Sequence, residues 1–198
     1  EAIDSALAQT YKNTEVIVVN DGSNDGGKTE EVAKSYGEKI RYFPKENGGV
    51  ASALNLGIRK MTGEYFSWLS HDDVYYPDKI EVQIDYLRDR EKEIVLYSDY
   101  EFIDHGSRFL SKKLIGEIDH KRFRLALIVS DPVNGCTVLI PKTCFDVSGL
   151  FNEGLRTTQD YDMWFRLARN YRFVHIPKVL LKSRMHPEQG THIISNHF

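Results

Sequence analysis

The chain has 198 residues, a formal net charge of -3 and 41% hydrophobic residues, a composition typical of one ordinary globular domain. It contains no dense run of Lys or Arg, which argues against nucleic acid as a partner. Its longest apolar run, residues 125–129, is far shorter than the ~20 residues that a membrane-spanning helix needs.

The two cysteines, Cys136 and Cys144, show neither metal-ligand spacing nor the density of a disulfide scaffold. We therefore expect reduced thiols in the core and a cytoplasmic protein. Peripheral association with the inner face of a membrane is compatible with the sequence, and so is a homodimer. The chain opens without Met on a segment of helical composition, residues 1–8, so we expect an N-terminal piece to be missing.

The first hundred residues alternate strand and helix patterns. A β-branched run at residues 15–20 predicts a strand buried on both faces, and a helix over 28–36 and a second strand over 40–43 follow. A further helix opens at Asn47 and has an apolar stripe from Val50 to Ile58.

The alternation continues with a strand over 65–69, a helix introduced by Pro77 and a strand over 94–100. Such a pattern predicts an α/β fold with a mostly parallel sheet flanked by helices. Ligands of these folds bind beyond the carboxyl ends of the strands. The loops after Asn20 and Leu69 are therefore candidate binding loops.

Beyond residue 102 the order is less regular. The pattern predicts a hairpin-like stretch to residue 118, a helix, a strand, an amphipathic helix and two short terminal strands. The helix, the strand and the amphipathic helix are expected at residues 120–129, 136–140 and 161–170, and the last of these has Trp164, Leu167, Ala168 and Tyr171 on its apolar side.

Asp72 and Asp73 follow the strand over 65–69 and should project from the sheet edge. Two carboxylates on a strand-exit loop are suited to Mg²⁺ or Mn²⁺, because these hard cations prefer oxygen ligands. The alternative is that acids in this region, Asp78 among them, start the next helix.

The segment at Asp21, Gly22 and Ser23 follows the first strand and presents backbone donors to a nucleotide. The same residues are typical of Asx turns and helix caps. The loop lacks the Lys-Ser/Thr ending of a P-loop, and no Gly-x-Gly-x-x-Gly follows a strand. These two absences argue against a Walker-type NTPase and a Rossmann dehydrogenase.

Asp160 and Asp162 lie at the start of the amphipathic helix, where the helix dipole favours an ionised carboxylate that can act as a base. N-terminal capping is the alternative. Arg184 and His186 share one face of a terminal strand by the period of two, and either phosphate or metal contact or ordinary surface packing would explain them.

Five segments in order resemble glycosyltransferase family 2, the inverting nucleotide-sugar transferases of GT-A fold. Each is a weak motif alone, but the order and spacing together are specific. The resemblance runs from residue 1 to about residue 186, and its five segments are residues 6–11 (ALAQTY), 18–25 (VVNDGSND), 47–57 (NGGVASALNLG), 63–73 (GEY through the acid pair) and 159–164 (QDYDMW).

The resemblance implies a role for each matching residue. Asp73 would be the direct metal ligand with Asp72 in support of the metal or ribose, and Asp160 would be the catalytic base. His186 matches a late histidine that approaches the metal or diphosphate. The remaining implied contacts are to the nucleotide, from Asn20, Asp21, Ser23, Gly49 and Asp72.

Several features depart from the family pattern. Asn20 replaces a commoner acid, and Ser70 and His71 stand where many members have another acid, so the metal would bind weakly without the nucleotide. The family's opening strand would precede Glu1, and we expect it to be absent from this chain. The motif Gln-x-x-Arg-Trp of processive polysaccharide synthases is also absent.

The resemblance implies one catalytic domain over residues 1–198, with a nucleotide-binding half (1–102) and an acceptor-binding half (103–198). It would transfer a sugar from a nucleotide sugar, preferably a UDP-sugar, to a glycan, lipid-linked or polysaccharide hydroxyl, with inversion and with Mn²⁺ or Mg²⁺. The alternatives are a sugar nucleotidyltransferase and a non-catalytic nucleotide-binding module.

Overall fold

The computed structural model describes residues 1–88 and 93–185. Helices and strands alternate along most of this length. The helices are α1 (Ala2–Leu7), α2 (Lys28–Ser35), α3 (Gly49–Lys60), α4 (Lys79–Leu87), α5 (His120–Ser130), α6 (Thr143–Ser148) and α7 (Gln159–Leu167), with 3-10 turns at Gly37–Lys39 and Gly135–Thr137. The strands are β1 (Ile17–Asp21), β2 (Arg41–Lys45), β3 (Tyr65–Phe66), β4 (Val74–Tyr75), β5 (Ile94–Ile103), β6 (Phe109–Lys113), β7 (Ile140–Pro141) and β8 (Arg172–Arg184).

The strands form three sheets of mixed direction. β1 and β2 pair in parallel, with Val18 opposite Tyr42. β3 pairs with β7 in antiparallel direction. The largest sheet has the order β4-β8-β5-β6, and its central pair, β5 with β8, is parallel. The α/β fold class expected from the alternating pattern is confirmed.

The core lies between the large sheet and the helices of the second half of the chain. The apolar side of α7 faces it, and Trp164 and Leu167 are fully buried. Tyr97 of β5 and Phe123 of α5 pack in the same cluster. This packing fixes the first turn of α7, which carries Asp160, relative to the sheet. Both cysteines are buried and unpaired.

Three predicted elements differ from the structure. Only Tyr65–Phe66 of the predicted strand 65–69 pairs, and the next residue of the partner segment, Leu139, exchanges its backbone hydrogen bonds with Leu96 instead. The predicted strand 136–140 is wrong over its first half, where the Asn134 side chain accepts from the Cys136 N–H and closes a 3-10 turn.

The two predicted terminal strands are one strand, β8. Its register against β5 shifts between Ile176 and Val179, at Pro177, which has no N–H to give to the ladder. A bulge at a proline therefore separates two halves that the sequence pattern presents as two strands. The short helix α6 was not predicted.

A cavity of about 2280 Å³ is lined by residues of β1 and β3 and of the helices α1, α2, α3 and α4. Its walls include Val18 of β1 and Phe66 of β3, and its rim carries the Asp21 loop. Within residues 1–88 and 93–185, no helix is long and apolar enough to span a bilayer.

Candidate functional site

A second pocket, of about 420 Å³, gathers carboxylates from three separate parts of the chain. Asp72 and Asp73 reach it from the loop after β3, and Asp160 from the first turn of α7. Asp131 reaches it from the end of α5. Asp72 and Asp160 also line the larger cavity, so the two spaces share these walls.

Asp73 is 5% exposed and is held by backbone and side-chain donors. Its Oδ1 accepts from the Arg184 backbone N–H at 2.9 Å, and Ser183 and Cys136 also bond the carboxylate. Burial raises the pKa of Asp73, and the neighbouring Asp72 charge raises it further, while the hydrogen bonds oppose this shift.

Asp72 is half-buried, and its backbone carbonyl accepts from the Arg184 guanidinium at 2.8 Å. The N-cap position of α4 belongs to Asp78, several residues later. Asp78 thus starts α4, as the capping alternative expected, although its side chain makes no capping hydrogen bond, whereas Asp72 and Asp73 do not cap this helix. The chain places both acids against one pocket instead.

Asp160 lies in the first turn of α7, directly after Gln159 and the strained N-cap Thr158 at φ 65°. Its Oδ1 accepts from the Tyr161 backbone N–H at 2.8 Å. Burial raises the pKa of Asp160, while hydrogen bonds from backbone N–H groups at the start of the helix oppose this shift. Asp162, two residues further on, pairs with Arg166 at 2.8 Å.

Asp131 was not identified from the sequence, although it belongs to the same pocket. It ends α5 in the left-handed conformation, at φ 37°. Burial and, second, the charge of Asp160 raise the pKa of Asp131 to about 6. The dipeptide Asp131-Pro132 after a helical stretch marks a loop, but nothing local shows that this loop meets Asp160.

The Asp21 loop leads from β1 to α2, and Asp21 bonds to the end of β2 and to the start of α3. The Asp21 carboxylate accepts from Lys45 Nζ at 2.5 Å and from the Gly48 N–H at 3.0 Å. Its carbonyl accepts from the Asn47 side chain at 2.8 Å. Because Gly48 caps α3, the carboxylate neutralises the positive end of this helix.

The local side-chain bond in this turn comes from Asn20 and not from Asp21, Gly22 or Ser23, on which the Asx-turn alternative rested. The side-chain oxygen of Asn20 accepts from the Ser23 N–H at 3.0 Å, and its amide donates to the Tyr42 hydroxyl. Gly22 lies at φ 70°, and a Cβ there would be 2.6 Å from the Asn47 nitrogen. The turn therefore needs glycine. Asn20, Asp21 and Ser23 line the large cavity together.

Gly49 is the first residue of α3, at φ 82°, and is not part of the lining of either cavity. Arg184 is 8% exposed. Its guanidinium donates to backbone carbonyls and to Ser107 and Glu1, which places it in the protein interior rather than on a phosphate site. His186 lies outside the described residues.

Two further polar residues, Lys79 and Gln83 of α4, are buried beside the segment that follows β3. Lys79 is fully buried and donates to the Ser67 hydroxyl, to Gln83 and to the Val138 carbonyl. Burial lowers the pKa of Lys79 to about 7. The sequence signals this buried lysine only through the polar pair Lys79 and Gln83, which are spaced i,i+4 beside apolar positions of α4.

A divalent cation requires oxygen donors, and Asp72 and Asp73 supply carboxylates on one wall. The described residues contain no group of three or more His, Cys, Asp or Glu side chains arranged to hold a metal. Within the described residues the pair thus offers two carboxylates to a cation and does not form an all-protein cage.

The family model of glycosyl transferase family 2 matches residues 1–142. A Rickettsia felis protein named an uncharacterized glycosyltransferase is 53% identical over 201 residues, which cover 100% of this chain and 33% of that protein. A Rickettsia typhi protein with a similar name is 51% identical over 99% of this chain and 62% of its own length. The chain thus spans about a third of the first relative.

Among solved structures, residues 1–349 of S. aureus TarS in complex with UDP superpose with a TM-score of 0.74. The match covers 95% of this chain and 56% of that one at 19% identity. The likeness therefore concerns the fold, and the family match comes from the sequence. The chain belongs to glycosyl transferase family 2, a family of sugar-transferring enzymes, and has their GT-A fold.

Proposed function

We propose that the chain transfers a sugar from a nucleotide-diphosphate sugar to an acceptor hydroxyl, with inversion at the anomeric carbon. One observation carries the proposal: Asp72 and Asp160 line both the pocket of Asp73 and the cavity of the Asp21 loop. A donor whose nucleotide lies at Asp21 would therefore place its diphosphate and sugar between the acid pair and Asp160.

Asp160 is proposed as the base. Its carboxylate takes the proton of the acceptor hydroxyl as that oxygen bonds to the anomeric carbon, while the bond from this carbon to the diphosphate oxygen breaks. Burial raises the pKa of Asp160, which strengthens the carboxylate as a base provided that it is ionised. Ionisation requires a pH above this raised pKa.

Asp73 and Asp72 are proposed to hold Mn²⁺ or Mg²⁺. When bound, the cation neutralises charge on the departing diphosphate. Enzymes of this family generally use a divalent metal ion. Asp73 is already held by Arg184, so its carboxylate is oriented before any ligand arrives, which lowers the free-energy cost of binding.

The nucleotide is proposed to lie against Asn20, Asp21 and Ser23, with Gly49 at the nearby start of α3 and Asp72 at the ribose. UDP is favoured because the structurally similar TarS binds it. We further propose that residues 1–102 serve the nucleotide and 103–198 the acceptor, a glycan, lipid-linked or polysaccharide hydroxyl. Gln159 supports a sugar contact, because its buried Oε1 has no hydrogen-bond partner among the described residues.

Calorimetric titration with UDP, GDP and dTDP, with and without Mn²⁺, tests the proposal. We expect Asp73→Ala to abolish the metal-dependent part of UDP binding. We expect Asp160→Ala to spare binding and to remove transfer. Asp162→Ala is the matched control, since this carboxylate shares the helix but pairs with Arg166.

Unchanged metal-dependent binding in Asp73→Ala would overturn the metal assignment. Formation of a nucleotide sugar from UTP and a sugar phosphate would indicate a nucleotidyltransferase. UDP binding without any turnover in the unmodified chain would indicate a binding module.

A further inference from the structure

Helix α5 is apolar on two opposite faces. Phe123 and Leu127 are 2% and 0% exposed and pack into the core, whereas Leu125, Ile128 and Val129 are 60%, 65% and 76% exposed. At 3.6 residues per turn the exposed three point away from the buried two. A surface helix usually has polar residues on its outward side, so this face is apolar without a partner in the described chain.

Basic residues accompany the exposed face. Lys121 and Arg122 lie one turn before Leu125 on the outward side, and Arg124 lies at its flank. All three are exposed. Residues 108–130 contain six Lys or Arg and two acids, in a chain whose net charge is -3. Helix α5 itself has three basic residues and no acid, so its outward face is positive on a protein that is negative as a whole.

Strand β6, which precedes α5, has the same character. It is an edge strand of the large sheet, and each of its residues is exposed. Phe109 and Leu110 are 57% and 52% exposed, and Leu114 just beyond the strand is 67% exposed. Lys112 and Lys113 stand between them. Exposed apolar and basic residues therefore alternate through two successive elements.

We propose that the outward face of α5 docks on a membrane surface that carries anionic lipids. Leu125, Ile128 and Val129 enter the boundary between headgroups and acyl chains, and the Lys and Arg side chains contact lipid phosphates. The combination of aliphatic and basic side chains on one helix face matches both parts of such a surface.

The basic residues of this face favour a membrane over two other partners, a second copy of the chain and a nucleic acid. A second copy of the chain in a two-fold contact would set the same basic residues against each other. A nucleic acid would satisfy the charges but would leave the aliphatic side chains without a counterpart. An anionic bilayer accommodates both features.

Docking here would bring the membrane beside the candidate site. The Tyr161 hydroxyl of α7 donates to the Leu127 carbonyl of α5 at 2.7 Å, and α5 ends at Asp131, in the wall of the pocket that Asp160 shares. A lipid-linked acceptor would then be presented to that pocket. This last consequence rests on the proposed function, whereas the docking itself does not.

Sedimentation with vesicles tests the surface. The purified chain is mixed with phosphatidylcholine vesicles and with vesicles that also contain phosphatidylglycerol. We expect binding to the anionic vesicles that weakens with salt. Each basic residue near such a surface changes the affinity about fivefold, so Lys121→Glu with Arg122→Glu should reduce binding more than tenfold. Leu125→Gln with Val129→Gln should also abolish most of it.

Matched controls change the same residue types elsewhere. Lys39→Glu with Arg169→Glu alters the net charge equally at exposed positions, and Val147→Gln alters an exposed valine of α6. Neither control should change vesicle binding. Equal binding to both vesicle types, or full binding by the α5 variants, would overturn the proposal.

Two further measurements separate membrane docking from self-association and from loss of folding. Light scattering that shows a dimer dissociated by Leu125→Gln with Val129→Gln would assign the face to a second copy and overturn the membrane proposal. The free energy of unfolding in urea should be the same in the α5 variants as in the unmodified chain. Loss of vesicle binding with retained stability therefore supports the docking surface independently of the proposed transfer reaction.

Discussion

The backbone N–H of Arg184 donates to Oδ1 of Asp73 at 2.9 Å, across 111 residues of sequence. The Arg184 guanidinium donates in addition to the carbonyl of Asp72 at 2.8 Å. The last residue of β8 thus holds both acids of the candidate metal site. Because β8 is paired with β5 along its length, the large sheet determines where these carboxylates lie.

Replacing Arg184 should therefore disturb both stability and binding. Arg184→Met leaves the carbonyls of Asp72 and Asp104 without a charged donor, and we expect a loss of about 1 to 3 kcal/mol in the free energy of unfolding, measured in urea. Metal-dependent UDP binding should weaken as well. Arg108→Met is the control, because its side chain is 78% exposed and its pair with Asp104 contributes little. Equal stability of the two variants would contradict this role.

Gly135 sets the space for Trp68 beside the pocket. A Cβ at Gly135 would lie 2.2 Å from a ring carbon of Trp68, so Gly135→Ala should displace the indole and cost about 1 to 3 kcal/mol. Tryptophan fluorescence and urea unfolding measure both effects. Gly57→Ala is the control: nothing lies within 4 Å of its Cβ position in α3, and it should stabilise the helix slightly. A Gly135→Ala variant as stable as Gly57→Ala would refute the packing argument.

Because Lys79 is buried, we expect the free energy of unfolding to change with pH in the alkaline range. Burial lowers the pKa of Lys79 to about 7 from its ordinary value of 10.5. Between these pH values the unfolded chain binds a proton that the native chain does not, so the free energy of unfolding should rise with pH by at most ~1.4 kcal/mol per unit. Urea titrations through this range should show a steeper rise than those of Lys79→Met. Equal slopes for both proteins would show that Lys79 stays protonated.

Asp131 and Asp160 should titrate as interacting groups. The Asp160 charge is the second cause, after burial, of the raised pKa of about 6 at Asp131. Asp160→Asn should therefore lower the pKa of Asp131 but leave it above the ordinary value, as measured by carboxyl ¹³C NMR. Asp162→Asn, which removes the partner of Arg166, should leave the pKa of Asp131 unchanged. An unchanged Asp131 pKa in Asp160→Asn would show that the two carboxylates do not interact.

The spacing of apolar residues in the sequence predicted those helices and strands in which buried residues recur at a regular interval. The apolar side of α7 was predicted correctly, since Trp164 and Leu167 recur at helical spacing and are fully buried. The strand predicted at 136–140 was wrong because a side-chain bond from Asn134 redirects the backbone. Such a bond depends on conformation and has no periodic signature.

The residues of the candidate site also fall into two groups, those that the sequence identifies and those that only the structure shows. Asp72, Asp73 and Asp160 were identified because they follow a strand or open a helix. Asp131 and Arg184 act through contacts with residues far away in sequence, such as Asp160 and Asp73. No local pattern contains these contacts, so only the folded structure shows them.

The central claim is that Asp160 serves as the base of sugar transfer. Release of UDP from UDP-sugars, measured with saturating donor and a mixture of glycan and lipid-linked acceptors, compares Asp160→Asn with Asp162→Asn. We expect Asp160→Asn to lose about 10²- to 10⁴-fold in rate while it still binds UDP, and Asp162→Asn to retain most of the activity. Turnover by Asp160→Asn at the rate of the unmodified chain would contradict the assignment of this base.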